Sequence, residues 1–292
     1  MGSEMCIRDS LYEAEGAVWF RSTAFGDDKD RVVIKSDGEY TYVVPDIAYH
    51  YDKFQRGFDK VIDIWGPDHY GYIARLKAAV EALGIDPDKL EIMIVQIVRL
   101  IRGKEAVRMS KRKGEFITLA DLLDELAATV GERFAVDVAR FFFVMRSHKT
   151  PLDFDIELAV KQADDNPVFY IQYAHARICS IFRQAEERGI PRMPIEQVDL
   201  SLLGNEEEVA LMRCLADYPD VVLGAAQARE PHRIAHYLLE LATRFHAFYD
   251  RHRVLDRENM PLTQARMILA DCTGQVIRNG LSLLGITAPE RM

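Results

Sequence analysis

Four cations surround one small hydroxyl residue in Val107-Arg108-Met109-Ser110-Lys111-Arg112-Lys113-Gly114-Glu115-Phe116, within a chain of formal net charge -9. Local positive charge on a negative background suits a polyanion, most simply a nucleoside triphosphate. Phosphoryl and nucleotidyl transfer put negative charge on oxygens, and preorganised cations stabilise it. Lys111 suits this best, because a long ammonium side chain follows a moving phosphate. Ser110 adds a hydroxyl donor, and Gly114 lets the backbone approach a ligand closely. Read as charge alone, the same run is a solvated loop.

Two other segments bear chemistry. Trp65-Gly66-Pro67-Asp68-His69-Tyr70-Gly71-Tyr72 follows an expected strand and precedes an expected helix. Open α/β sheets bind nucleotides at such junctions. Asp68 can accept from ribose hydroxyls and His69 can sit beside adenine; equally, Asp68 can merely cap the helix. In Tyr42-Val43-Val44-Pro45-Asp46-Ile47-Ala48-Tyr49-His50, a carboxylate at a strand end is a natural receptor for a guanidinium, through two parallel hydrogen bonds. Tyr42 can pack on that guanidinium or bond to it. Alone, Asp46 is an ordinary turn residue.

These residues need a scaffold. Tyr40-Thr41-Tyr42-Val43-Val44 reads as a strand stopped by Pro45, and Lys60–Trp65 as a second, ended by Gly66-Pro67. A helix follows with Ile73, Leu76, Val80 and Leu83 on one face and Gly84 as its stop. Ile92–Val98 is an apolar third strand, as in a parallel sheet covered on both faces. Strand, helix, strand makes a right-handed crossover, part of a doubly wound nucleotide-binding fold over 11–150.

From 151 to 292 the pattern is all-α. A helix from Pro167 to about Gln184 puts Val168, Ile171, Ile178 and Phe182 on one stripe. A second starts at Pro231 with Ile234, Leu238, Leu241, Phe245 and Phe248, and a third runs from Leu262 to about Leu284, stopping at Gly285. Gly189–Asn205 reads as a loop. Tyr170, Tyr173 and Arg177 recur three and four apart, off the apolar stripe; two rings and a guanidinium on one face suit stacking of splayed bases, or else interfacial packing and a surface charge. His175 falls in the stripe as a core histidine. His232, His236 and His246 show helical spacing without the carboxylates of a metal site.

The bulk properties narrow the field. Hydrophobic content of 49% and charged content of 28% fit a soluble globular protein with two domains. No apolar run approaches the ~20 residues of a membrane helix, and no signal core is visible. Cys6, Cys179, Cys214 and Cys272 are scattered, as reduced and mostly packed residues of a cytoplasmic protein, and no metal site is expected. Met1–Ser10 fits no periodicity and reads as an artefact or tail.

The basic run resembles the second signature loop of class I aminoacyl-tRNA synthetases, Lys-Met-Ser-Lys-Ser, with Arg108 for the first lysine and Arg112 for the last serine. Asp46-Ile47-Ala48-Tyr49-His50, Trp65-Gly66-Pro67-Asp68-His69 and Gln172-Tyr173-Ala174-His175-Ala176-Arg177 resemble the arginyl-tRNA synthetase family specifically, over nearly all of the chain from Gly16 to Met292. The resemblance implies that Tyr42 and Asp46 hold arginine. It implies that Gly66, Asp68 and His69 line the adenosine pocket, and that Arg108, Met109, Ser110 and Lys111 lie over the ATP phosphates. It makes the helical half an anticodon-binding domain with Tyr173, Arg177, Tyr249 and Met292 near the anticodon. The implied reaction is ATP-dependent arginine–tRNA ligation, with Mg²⁺ accompanying ATP, the arginine tRNA as partner and a monomer as the complete enzyme.

The chain departs from that family in lacking the His-x-Gly-His signature; its nearest run, His69-Tyr70-Gly71-Tyr72, belongs to the other motif. Pro67 and Tyr70 also depart from the family's usual residues beside the adenine. The first half of the catalytic fold, its insertion and the family's N-terminal tRNA-binding domain find no counterpart. Losing one oxyanion-type donor costs ~10²–10³ in rate, and losing half a phosphate site costs more. The chain alone is therefore expected to be inactive, with an exposed sheet edge and an uncovered apolar face. Rival readings are a non-catalytic tRNA-binding module, another class I enzyme such as the cysteinyl synthetase (disfavoured by the absence of a zinc set), and a truncated product without function.

Overall fold

The computed structural model describes residues 10–103, 105–107, 117–163 and 165–292. They divide into two compact units, one ending at Ile97 and one running Val98–Met292.

In the first unit, β1 (Leu11–Ala14), β2 (Ala17–Phe20) and β3 (Arg31–Ile34) pair antiparallel in that order. At four residues each, they are too short for alternation to announce them. Ser10, the one described residue of the expected tail, is buried, and its carbonyl accepts from the Arg21 N–H at 2.8 Å.

The strand expected at Tyr40–Val44 is not formed. Tyr40 keeps a single bridge to Ile34, and Val43 begins helix α1 (Val43–Gln55). Pro45 does not end the segment: it is third in the helix, in the first turn, where a missing N–H costs no intrahelical bond. Strand propensity at 40–44 yields to the burial of Val43.

β4 (Val61–Trp65) and β5 (Leu90–Ile94) run parallel, Val61 opposite Leu90 and Trp65 opposite Ile94. Helix α2 (Ile73–Ala82) is the crossover between them, with Gly84 at φ 76° just beyond its end. The expected Ile92–Val98 strand therefore starts earlier and stops at Ile94; Val98 opens a strand of the other unit. α2 serves both sheets: Ala78, Ala79 and Ala82 pack with Phe20 and Val33, while Leu76 and Val80 pack with Val61 and Leu90. Ile62 and Ile64 of β4 are 41% and 66% exposed, the uncovered apolar face foreseen above.

The second unit opens with a mixed sheet. β6 (Val98–Arg102) pairs antiparallel with β7 (Glu105–Ala106) and parallel with β8 (Leu152–Asp155). Helices α3 (Leu119–Val130) and α4 (Glu132–Val144) lie between these strands in sequence, and the short α5 (Ile156–Ala159) follows. The bundle proper comprises α6 (Pro167–Glu187), α7 (Glu206–Ala216), α8 (Tyr218–Ala228), α9 (His232–Arg251) and α10 (Met260–Leu283). α6, α9 and α10 occupy the three expected segments, and Ile171, Ile178, Leu238, Leu241, Phe245, Phe248 and Ile277 share one core.

Asn166 starts α6: its side-chain oxygen caps the Val168 N–H, and its amide donates to the Ala159 and Lys161 carbonyls at 3.0 and 2.7 Å. Of the described cysteines only Cys214 is buried; Cys179 is half-buried and Cys272 exposed, so the packed role expected of them holds for one. Among the described residues no helix is long and apolar enough to cross a membrane.

α9 and α10 approach closely at Gly280, where an added Cβ would lie 2.7 Å from Leu238 Cδ2. Leu238 is fully buried and has nowhere to move. Gly280→Ala is expected to destabilise the second unit by about 1–3 kcal/mol, read as a lower denaturant midpoint at unchanged m-value.

Candidate functional site

The first unit holds a cleft of about 1030 Å³ between α1, the carboxyl end of β4 and the start of α2. Four of the expected site residues line it: Tyr42, Asp46, Asp68 and His69. Gly66 is not in its wall; it is the N-cap of the 3₁₀ turn Pro67–Tyr72 that carries Asp68 and His69. Asp68 makes no capping bond, so the alternative role considered for it is not filled. Arg108, Met109, Ser110 and Lys111 lie outside the described residues.

Asp46 sits in the first turn of α1 and accepts from the Tyr72 hydroxyl at 2.8 Å. Burial, and then this bond to a carboxylate, raise the Tyr72 phenol well above its ordinary value, so it stays a donor. The Arg75 guanidinium lies 4.7 Å from the Tyr72 ring centroid and donates to the Tyr42 hydroxyl at 2.9 Å. Tyr42 and Tyr72 lean together at 6.0 Å, and Trp65 meets His69 edge-on at 6.2 Å. A carboxylate beside two phenols is thus presented at one end of the cleft, and an exposed carboxylate and imidazole at the other.

The same cleft is also lined by an ion cluster. His50 Nε2 contacts Asp63 Oδ2 at 2.6 Å, Lys53 donates to Asp63 Oδ1 at 2.7 Å, and His50 Nδ1 meets the Asp46 carbonyl at 2.7 Å. Burial alone would raise the Asp63 carboxyl, but the bonds to His50 and Lys53 outweigh it and hold it below the ordinary carboxylate value. The cluster ties α1, the helix that offers Asp46, to β4. Motif reading quoted Tyr72 and His50 without giving them work and missed Asp63, Lys53 and Arg75. Asp63 had a signal: it alternates with Val61 on the buried face of β4, where a carboxylate must find partners.

In the second unit, Tyr173 and Arg177 of α6 meet Tyr249 of α9. The Arg177 guanidinium lies 4.7 Å from the Tyr173 centroid and 4.6 Å from that of Tyr249. It donates to the Tyr173 hydroxyl and to His246 Nδ1, both at 3.1 Å, and faces Asp250 at 3.4 Å. Phe169 stacks on Tyr173 at 6.1 Å and Tyr173 on His246 of α9 at 5.9 Å, so the rings form a ladder from α6 to α9. His246, one of the three helically spaced histidines, belongs to this ladder. Met292 is half exposed, at the end of a segment held by α6: Gln172 donates to the Thr287 carbonyl at 2.8 Å, and His175 Nδ1 donates to that of Pro289 at 2.9 Å. His175 is the core histidine foreseen; burial lowers its basicity. Among the described residues no group of three His, Cys, Asp or Glu could hold a metal ion.

Two sequence families match in succession. Residues 4–134 match the "tRNA synthetases class I (R), catalytic domain", and residues 171–292 match the "DALR anticodon binding domain". A catalytic domain followed by an anticodon domain defines a class I aminoacyl-tRNA synthetase, and the chain shares that architecture. The arginine–tRNA ligase of Symbiobacterium thermophilum is 54% identical over 285 residues, which is 98% of this chain and 50% of the relative. That of Desulforamulus reducens is 53% identical over 289 residues, 99% of this chain and 50% of the relative. A solved structure assigned as an arginyl-tRNA synthetase of Campylobacter jejuni superposes with a TM-score of 0.86 at 37% identity, covering 99% of this chain and 61% of that one. The Thermus thermophilus arginyl-tRNA synthetase shares the fold with a TM-score of 0.84 over 99% of this chain and 57% of that one, at 24% identity. The chain belongs to the arginyl-tRNA synthetase family, and it spans about half the length of the curated relatives it matches. The cysteinyl reading is thereby set aside.

The Asp63 cluster makes a pH prediction. Its folded carboxyl value lies below the ordinary 3.8, so the stability it contributes is complete above pH 3.8 and is lost as pH falls through the lower folded value. Asp63→Asn is expected to cost about 3–5 kcal/mol near neutrality, by leaving the Lys53 ammonium and the buried His50 ring without their carboxylate, and to flatten the acid limb of a thermal-midpoint-against-pH curve.

Proposed function

We propose that this chain is the part of an arginine–tRNA ligase that holds the guanidinium of arginine, the adenosine of ATP and the anticodon of the arginine tRNA. One observation carries the reading: Tyr42 and Asp46 of α1, and Asp68 and His69 beyond β4, line a single cleft at the carboxyl end of a parallel strand. Asp46 receives the guanidinium through paired hydrogen bonds, in exchange for part of its bond to Tyr72, with Tyr42 packed against the same group. Asp68 takes the ribose hydroxyls and His69 lies against adenine. The arginine carboxylate attacks the α-phosphate of ATP, giving arginyl-adenylate and pyrophosphate; a ribose hydroxyl at the tRNA 3′ end then attacks the arginyl carbonyl, forming the ester and releasing AMP.

No side chain acts as a covalent nucleophile; positioning and charge stabilisation supply the rate. Lys111, with Arg108, Met109 and Ser110, is assigned to the phosphates of ATP. Mg²⁺ would accompany ATP, held by its phosphates and water, and would supply charge neutralisation there. The domain division at 150/151, a monomeric complete enzyme and a cytoplasmic setting belong to the same reading. In the second unit Tyr173, Arg177, Tyr249 and Met292 take splayed anticodon bases on the ring ladder.

The test is charging of unfractionated tRNA with labelled arginine, ATP and Mg²⁺. The 292-residue chain alone, which has no His-x-Gly-His, is expected to charge nothing above a Lys111→Ala control. Supplied with the half of the Symbiobacterium relative that it does not match, it is expected to charge, and Asp46→Ala to raise the arginine KM about 10- to 100-fold. Charging of a different amino acid would sink the reading. Tyr173→Ala is expected to weaken binding of a stem-loop RNA with an arginine anticodon by about 1–3 kcal/mol in a titration at fixed salt. RNA binding without reconstituted charging would favour the non-catalytic module.

A further inference from the structure

A second cleft, of about 260 Å³, lies between α6, α10 and the C-terminal segment, away from the ring ladder. Its floor is neutral. His175 is buried and loses basicity by burial, the Cys179 thiol is pushed up by burial, and Ile178 packs against Gly274, where an added Cβ would lie 3.0 Å from Ile178 Cγ2. Its rim carries Arg183, Arg192, Arg278 and Arg291 against Asp271 and Glu290.

These charges are not evenly matched. Arg192 is stacked 3.9 Å over Phe182 and paired with Asp271 at 2.9 Å. Arg183 donates only to the Glu290 backbone carbonyl, at 3.0 Å, and Arg278 only to the Gln275 amide oxygen, at 3.1 Å. Neither they nor Arg291 meets a carboxylate among the described residues. Three guanidiniums thus keep free donors around a recess with one unpaired acid, Glu290. A guanidinium fork matches phosphate oxygens in geometry as well as charge.

We propose that this cleft is a phosphate-binding site that holds a backbone phosphate of the same RNA strand whose bases stack on Tyr173 and Tyr249. The inference rests on the RNA-binding part of the proposed function. Two placements support that occupant over a free anion. Arg183 follows Arg177 by six residues on α6, about 9 Å along the axis and about 120° around it, so a strand stacked at one face passes to the cleft by following the helix round less than half a turn. Arg291 is adjacent to Met292, the other residue assigned to the anticodon. Phosphate contacts position a strand, and base contacts specify it. The cleft therefore sets the register in which bases reach the ring ladder.

The test titrates a labelled stem-loop RNA bearing an arginine anticodon into the 292-residue chain across a salt series. Arg278 and Arg291 are exposed, so R278Q/R291Q should fold; thermal unfolding checks this. The double variant is expected to bind several-fold more weakly, with a log K against log [salt] slope shallower by about 0.7–1 for the lost phosphate. Arg213→Gln on α7, outside the cleft, should leave the slope nearly unchanged, and Glu290→Gln should tighten binding. If the chain binds the RNA and the double variant behaves like R213Q, the cleft site is overturned and the anticodon reading stands. If the unmodified chain binds no RNA, the anticodon reading fails. Inorganic phosphate, followed by NMR at the His175 ring and the rim arginines, then decides: shifts lost in R278Q/R291Q would support a free-phosphate site, and no shifts would overturn the cleft.

Discussion

The second unit depends on one buried carboxylate. Asp137 of α4 accepts from the Gln172 amide of α6 at 2.9 Å, from the Thr287 backbone N–H at 3.1 Å and from the Thr287 hydroxyl. A charge at that depth is tolerable only when its lone pairs are met, and here three donors from two separate elements meet them. The same bonds decide where the chain ends up after α10. Gly285, at φ 68°, turns it back, Ile286 is buried, and Thr287 is locked to Asp137. Without that anchor the last residues would have no fixed relation to α6, and neither Met292 nor the arginine-rimmed cleft would have a wall.

The first unit solves a similar problem with a different device. Its parallel sheet has only two strands among the described residues, too few to enclose a core, so α2 shares its faces between this sheet and the antiparallel one. Three alanines on one side admit the close approach; Leu76 and Val80 fill the other. The His50–Asp63–Lys53 cluster then pins α1 to β4. Asp46 is consequently offered from a helix whose base is fixed by charge, against Tyr72 at the N-cap of α2 and Arg75 in its first turn. Asp46 is held by what surrounds its helix more than by its own contacts.

Four residues that line the cleft, Tyr42, Asp46, Asp68 and His69, stand out in the sequence because they cluster in short runs beside glycine and proline. Asp68 and His69 follow a strand end in a turn, and Asp46 sits beside a proline in the first turn of a helix, so their chemistry is local. The long amphipathic helices α6, α9 and α10 were equally legible, each with a sustained apolar stripe. What escaped was set by contacts distant in sequence. Val43 and Val44 have strand propensity but join a helix whose third residue is a proline, since only packing reveals that Pro45 lies in a first turn. α7 and α8 are short and separated by a single residue, so their stripes merge into an irregular stretch. Arg75 belongs to no motif, and only the fold shows it lying over Tyr72. Asp137 carries no motif; its partners are 35 and 150 residues away.

The C-terminal segment is gripped at its backbone. Gln172 bonds to the carbonyl of Thr287, His175 to that of Pro289 and Arg183 to that of Glu290. Each bond reads the path of the main chain and is indifferent to the side chain at the position it holds. Residues 290–292 can therefore drift under mutation without loosening the clasp. Any side chain placed there is displayed at a constant position. Selection can then act on its chemistry alone, which makes the last residues a place where recognition can be retuned one substitution at a time while the fold stays as it is.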